Sequence, residues 1–268
     1  RVAEPSMKEF VRLHQKPIRK GPRAIFIDLG PNNGKSLLRF LLGKMPYLSF
    51  QNRNKFLDLT NDAIKSITNP HCSGRRDCAC VNIERCPGCP VVPPEGLDLH
   101  MVDVYSVEPN LKHEPTLVAM FEGFPNIKGL LTGTGVWNET TTLNFGIAAC
   151  DKRETRLGDP QTDFHAVDSS KDVKPQCFHR TPVIDICEYL YDYVGAKKED
   201  YVAIKLDTEN AEIPVLTRLL EGCLEVVDFL AFEWGEWERN SEERDLKKKM
   251  APYKEKLRLA GLALCPWH

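Results

Sequence analysis

The fold class is indicated by the stretch Ala24-Ile25-Phe26-Ile27-Asp28-Leu29, which is followed by Gly30-Pro31-Asn32-Asn33-Gly34. Its first six residues are apolar except for Asp28, and the apolar run stops at Gly30. Such a run is typical of a parallel strand that is buried on both faces of its sheet. Helical spacing follows at Leu37, Leu38, Phe40, Leu41 and Leu42. The segment therefore predicts a buried strand, a glycine-containing loop and a helix.

The same alternation recurs along the rest of the chain. Further strands are predicted at Val102–Val107, Ile127–Leu131, Thr141–Ile147 (as part of a hairpin), Tyr201–Leu206, Asp228–Trp234 and Leu262–Cys265. Helices are predicted at Met7–His14, Pro115–Glu122, Ile184–Tyr193, Ala211–Leu220 and Glu242–Leu259. Strands that alternate with helices specify an α/β fold with an open, mostly parallel sheet.

Two segments interrupt this alternation. Residues 44–101 carry prolines and clustered cysteines with little periodicity, so we interpret them as a Cys-rich insertion after the first βα unit. Residues 150–180 are polar and are predicted to be irregular. We therefore predict an N-terminal extension over residues 1–23 and one domain over residues 24–268.

The composition excludes some classes of function. The 268 residues are 42% hydrophobic and 28% charged, with a formal net charge of -2. A nucleic-acid groove normally needs a surplus of basic residues, so we predict no nucleic-acid partner. No run of 18 apolar residues is present, which predicts no membrane contact within this segment. We interpret the start at Arg1 as that of a trimmed chain, and the oligomeric state has no signal in the sequence.

The ten cysteines are many for a cytosolic enzyme of this size. Together with the glycosylation sequon Asn138-Glu139-Thr140 they favour the secretory pathway, in the Golgi lumen or outside the cell, with the cytoplasm as the alternative. Five of them cluster at Cys72, Cys78, Cys80, Cys86 and Cys89. Disulfides, a zinc site and free thiols all stay open for this cluster, because the Cys-x-x-Cys spacing of zinc sites occurs only once.

The glycine loop after the first strand is a candidate ligand-binding segment. In open α/β sheets, ligands bind outside the carboxyl ends of the strands. Gly30 and Gly34 would let the backbone pass close to a ligand, and the loop leads into a helix N-terminus with free N–H groups. The spacing is not Gly-x-Gly-x-x-Gly, which disfavours an NAD-dependent oxidoreductase. Gly34-Lys35-Ser36 imitates the end of a phosphate-binding loop, but Leu29 stands where that motif needs glycine, which disfavours an ATPase.

Two acidic clusters follow other predicted strands. Glu108, followed by Pro109-Asn110, is placed where an acidic residue accepts the ribose hydroxyls of a bound nucleoside. The segment from Asp207 to Glu212 carries three carboxylates, which could face an acceptor, a base or a divalent cation. Glu212 has helix capping as an equal alternative, because Thr208 precedes it at a helix start. We expect the three acidic turns to converge on one ligand.

The chain resembles the FkbM-type methyltransferases, a class I S-adenosylmethionine-dependent family. The matching stretches are Phe26–Gly34, Val107–Asn110, Gly135–Asn138, Ile204–Glu212 and Phe232–Trp234. Asn210 departs from the family pattern, which has glycine in its Asp-x-Glu-Gly-Ala-Glu motif, and the Cys-rich insertion is not typical. The resemblance implies a Rossmann-like α/β fold, with helices on both faces of a mostly parallel seven-stranded sheet.

The resemblance also implies an activity and its residues. The cofactor would be S-adenosylmethionine, its product S-adenosylhomocysteine, and the methyl acceptor an oxygen of a glycan or another small hydroxylated molecule. The implied cofactor-binding residues are Asp28, Gly30, Pro31, Asn32, Gly34, Glu108, Pro109, Asn110, Gly135, Val136, Trp137 and Asp207. We expect Asp207, Glu209 and Glu233 to be catalytic, by taking or orienting the acceptor's hydroxyl proton. No metal ligand is assigned and no metal is required, although a divalent cation could bind these oxygens. The alternative is a catalytically inactive binding or scaffold protein.

Overall fold

The structure, a computed structural model, describes residues 12–18, 20–34, 36–37, 40, 102–147, 164–166, 178–208, 211–232 and 241–266. Several predictions fall outside these residues: those on the Cys-rich insertion and its clustered cysteines, on Glu209 and Asn210, and on Glu233 and Trp234. No helix among the described residues is both long and apolar enough to cross a membrane.

Strands and helices alternate over part of the described chain, as the sequence predicts. The strands are β1 Arg12–Gln15, β2 Ala24–Leu29, β3 Asp103–Glu108, β4 Ile127–Thr132, β5 Gly135–Trp137, β6 Thr141–Ile147, β7 Phe164–Ala166, β8 Phe178–Asp185, β9 Tyr201–Leu206, β10 Phe229–Phe232 and β11 Ala263–Pro266. The helices are α1 Glu114–Gly123, α2 Ile186–Glu188, α3 Glu212–Gly222 and α4 Ser241–Leu259. A π-helical turn, Tyr189–Val194, continues α2, and two 3-10 turns lie at Leu111–His113 and Leu224–Val226.

The main sheet has the strand order β1-β4-β3-β2-β9-β10-β11. Strands β4, β3, β2, β9, β10 and β11 run parallel, and β1 pairs antiparallel with β4 at the edge. The predicted α/β fold with a mostly parallel sheet is thus confirmed. In chain order, β3 and β4 lie on one side of β2, and the later strands β9, β10 and β11 lie on its other side. The order therefore reverses between β2 and β9, and the cleft at such a switch point is where ligands bind in these sheets.

A second sheet has the order β5-β8-β6-β7. Strand β6 pairs antiparallel with both β7 and β8, which fits the hairpin predicted for this segment. The prediction that residues 150–180 are irregular is wrong at β7 and at the start of β8. β7 has only three residues and β8 begins with Phe178-His179-Arg180, so neither segment has a long apolar pattern. Pairing with β6 makes them strands.

The helix predicted at Met7–His14 is wrong in its described part, because Arg12–Gln15 is strand β1. This segment pairs with residues Gly129–Thr132 of β4 and so satisfies backbone groups that an open sheet edge would expose. Lys16, just beyond β1, donates hydrogen bonds to the carbonyls of Phe121 and Phe124, at the end of α1.

Apolar side chains pack on both faces of the main sheet. Ile25, Ile27 and Leu29 of β2 belong to a core that also contains buried residues of α2, α3 and α4. Ala24 and Phe26, on the opposite face, pack in a second core with α1. Alternation along the strand places Asp28 on the same face as Phe26, where its side chain is fully buried. This burial requires polar partners for Asp28.

A buried ionic cluster lies at the amino ends of the strands. The Arg23 guanidinium contacts Asp200 at 2.9 Å and the Val194 carbonyl at 3.2 Å, and it lies 3.9 Å from Asp103. The Arg23 backbone N–H also donates to Asp200, at 2.8 Å. These residues precede or begin β2, β3 and β9, so the cluster joins three strands at the edge opposite to their carboxyl ends.

A disulfide joins Cys187 of α2 to Cys223, which follows the last residue of α3. The Cα atoms are 5.5 Å apart, and both side chains are buried. Sequence reasoning assigned no partner to either cysteine. The bond closes a long segment of chain that contains β9 and α3.

Candidate functional site

A cleft opens at the carboxyl ends of β2, β3 and β9. It encloses about 620 Å³ of space, a volume that includes open solvent at its mouth. Its described lining residues are Gly30, Asn32, Val107, Glu108, Pro109, Asn110, His113, Gly135, Val136, Phe145, Asp207, Thr208 and Ala211. The three acidic turns that the sequence predicted to converge therefore do meet in one cleft.

Most of the implied cofactor-binding residues line this cleft, and four lie beside or beneath it. Asp28 is buried below the cleft, and Pro31 is also buried. Gly34 packs against Met120 of α1. Trp137 packs against the core on the other face of the sheet. These four residues are not among the described lining residues of the cleft.

The two glycines of the first turn are required by contacts within the protein. Gly30 has a φ of +79°, and a Cβ atom there would lie 1.9 Å from the Asp207 carbonyl oxygen. At Gly34, with a φ of +84°, a Cβ atom would lie 2.6 Å from the Met120 sulfur. The backbone at these glycines closely approaches a neighbouring turn and a helix, and Gly30 also lines the cleft.

Glu108 joins the turns that follow β2 and β3. One carboxylate oxygen accepts a hydrogen bond from the Asn32 N–H at 2.8 Å, and the other accepts one from the Asn110 N–H at 2.8 Å. Burial raises the pKa of Glu108 to about 7, although the two N–H groups oppose the rise. Each carboxylate oxygen has a second acceptor position, so Glu108 can still accept hydroxyl groups from a ligand.

Lys205 is the central cation of the site, and sequence reasoning missed it. Its ammonium donates to the Gly30 carbonyl at 2.8 Å and lies 3.0 Å from Asp207 and 3.2 Å from Asp28. Burial alone would lower the pKa of Lys205, but the two carboxylates raise it above its ordinary value. Lys205 therefore stays charged. A lysine inside the apolar run Tyr201–Leu206 was the available signal, because buried lysines are almost always paired.

The beginning of α3 forms another part of the wall. The Thr208 N–H donates to the Glu212 carboxylate at 2.8 Å, while the Thr208 hydroxyl lies 3.3 Å from the same oxygen. Glu212 is buried, does not line the cleft, and has its pKa raised by that burial. These contacts favour the capping alternative for Glu212. Asp207, by contrast, lines the cleft and keeps 27% of its side chain exposed.

His113 lines the cleft, and the sequence did not indicate a role for it. Its Nε2 atom lies 3.4 Å from the Asn110 side-chain amide nitrogen. Burial lowers the pKa of His113, with Lys112 adding to the effect, so the ring is neutral near pH 7. His113 thus adds a polar group to the cleft without adding a positive charge.

The described lining carries two carboxylates, Glu108 and Asp207, and no lysine or arginine. Lys205 lies beneath this surface, where its charge is already shared by Asp28 and Asp207. This described part of the wall offers no positive charge to phosphate groups. Among the described residues, no group of three or more His, Cys, Asp or Glu side chains is placed to hold a metal ion.

Scans of the chain against protein-family models, curated proteins and solved structures return no match.

Proposed function

We propose that the protein is a Rossmann-like class I methyltransferase of the FkbM type, which transfers a methyl group from S-adenosylmethionine to an oxygen of its acceptor. One observation carries the proposal: the turn at Gly30, the carboxylate of Glu108 and that of Asp207 line a single acidic cleft at the switch point of the sheet. Nucleoside ligands bind at this position in doubly wound sheets.

The residues of the cleft fit the proposed cofactor. Glu108 offers two oxygens for a pair of ribose hydroxyls, and Val136 and Phe145 offer apolar surface for an adenine ring. The Asp207 side chain can accept a hydrogen bond from the ammonium group at the amino-acid end of the cofactor. The lack of a described basic lining residue disfavours NAD and ATP, which carry phosphate groups that need positive partners.

In this proposal the cofactor, when bound, supplies a methyl group activated by a cationic sulfur. The chain's own residues position the acceptor and handle its proton. One oxygen of Asp207 is held by Lys205, and the partly exposed side chain can accept a hydrogen bond from an acceptor hydroxyl. Glu209 and Glu233, the other proposed catalytic residues, lie outside the described residues. A divalent cation is not required.

A glycan or another small hydroxylated molecule is the proposed acceptor, and the secretory pathway is the proposed location. The Cys187–Cys223 disulfide supports an oxidising compartment. A secretory location in turn favours a glycan hydroxyl.

Calorimetry with S-adenosylmethionine and S-adenosylhomocysteine, at two temperatures, tests the proposal. We expect both to bind the full chain. If neither binds, the proposal is wrong and the scaffold alternative is favoured.

Transfer of a labelled methyl group to a glycan panel tests the chemistry. We expect the double variant Asp207→Asn/Glu209→Gln to lose turnover. It should keep most of its cofactor affinity, because the amide oxygen at position 207 can still accept the hydrogen bond from Lys205. Asp192→Asn, at an exposed acidic residue of the π-helical turn, is the matched control. Unchanged turnover in the double variant would remove both carboxylates from the mechanism.

A further inference from the structure

We propose that Lys205 is a positioning residue for the cofactor: it holds the Gly30 carbonyl and the Asp207 carboxylate in the arrangement that binding requires. The inference builds on the proposed function and assigns a role within that same site. Lys205 does not line the cleft, so it acts through the groups that it holds.

The sheet register places Lys205 where it can join two strands. Lys205 of β9 lies directly opposite Asp28 of β2 in the parallel pair, so both side chains lie on the same face. The ammonium has three donors, and it has one partner in β2, one in the turn after β2 and one in the turn after β9. One buried cation thus connects the ends of the two strands that form the switch point.

The two connected turns are already in close contact. The Asp207 N–H donates to the Leu29 carbonyl at 3.1 Å, and the Asp207 carbonyl lies where a Cβ atom of Gly30 would be. Movement of either turn therefore moves the other. Without the ammonium, the Gly30 carbonyl and the Asp207 carboxylate lose a shared donor. The two carboxylates of Asp207 and Asp28 also lose the cation that lies between them.

A purely structural role would have different consequences. If Lys205 only neutralised Asp28, removal of both charges together would restore the protein, because no uncompensated charge would remain buried. If Lys205 positions the cleft wall, the same double change restores stability. The Gly30 carbonyl and the Asp207 carboxylate nevertheless stay without the ammonium that holds them. The two roles are separated by measuring stability and ligand affinity on the same variants.

The experiment compares the full wild-type chain with Lys205→Met and with Lys205→Met/Asp28→Asn. The probe is S-adenosylhomocysteine, whose affinity is measured by calorimetry, and stability is measured by thermal unfolding. We expect Lys205→Met to lose both stability and affinity. In the double variant we expect most of the stability to return while the affinity stays about tenfold or more below that of wild type. An affinity within about twofold of wild type, together with restored stability, would overturn the proposal.

Lys205→Arg is a further variant. It distinguishes the positioning role from the purely structural role if both methionine variants fail to fold. It keeps the positive charge, but its longer, planar guanidinium would place the donors at different positions from those of the ammonium. We expect a folded protein with affinity about tenfold lower, and wild-type affinity in this variant would overturn the proposal. Failure of the wild-type chain to bind either nucleoside would instead count against the proposed function.

Discussion

Replacement of Glu108 by glutamine should change how the stability of the protein depends on pH. Burial raises the pKa of Glu108 from its ordinary value of 4.5 to about 7 in the folded chain. The folded state therefore holds a proton on this carboxyl at pH values where the unfolded chain has released it. That proton stabilises the folded state fully at low pH, and the stabilisation is lost as the pH rises through about 7.

The expected magnitude follows from the size of the shift. A difference of one pKa unit corresponds to about 1.4 kcal/mol, so the shift of Glu108 amounts to roughly 3 kcal/mol, most of it lost between about pH 5 and pH 8. Glu108→Gln removes this titration. It also loses one of the two backbone hydrogen bonds, but that loss does not vary with pH.

Urea unfolding of wild type and Glu108→Gln across this pH range tests the prediction. We expect the stability advantage of wild type to shrink by roughly 3 kcal/mol as the pH rises. Glu221→Gln, at an exposed position of α3, serves as the control for loss of a charge. A difference between wild type and Glu108→Gln that is flat, or that grows with pH, would refute the argument.

Two further predictions concern the backbone. Gly30→Ala should destabilise the protein by at least about 4 kcal/mol, because the new Cβ atom would meet the Asp207 carbonyl, whereas Gly195→Ala, with a φ of +63° in open space, should cost only about 1 to 2 kcal/mol. Equal losses in urea unfolding would contradict the close approach. Cys187→Ala/Cys223→Ala should lose about 4 kcal/mol, given 36 residues of sequence separation. Peptide mapping of the unreduced wild-type chain should recover these two cysteines as one linked pair, and free thiols at both would refute the disulfide.

The strands that carry the site were predictable because parallel strands buried on both faces have distinctive sequences. Ala24–Leu29 and Tyr201–Leu206 are almost entirely apolar, and β2 and β9 have these bounds. The convergence of Gly30, Glu108 and Asp207 followed from the same reasoning, since the carboxyl ends of neighbouring parallel strands meet at one edge.

The remaining features depend on contacts between distant segments. Strand β1 is polar and is a strand because β4 offers it an edge, so no periodicity marks it. The roles of Lys205 and His113 depend on partners that are fixed only by the fold. The pairing of Cys187 with Cys223 requires the relative positions of α2 and α3, which no spacing in the sequence specifies.

The cluster around Arg23 has a consequence for how this scaffold could change. It fastens β2, β3 and β9 at the end remote from the cleft, and none of its described groups lines the cleft. The amino ends of the three strands are therefore held together by contacts that are separate from the cleft at their carboxyl ends. An engineer could exchange the turns after these strands, as in grafting a new specificity, and leave the anchoring charges untouched.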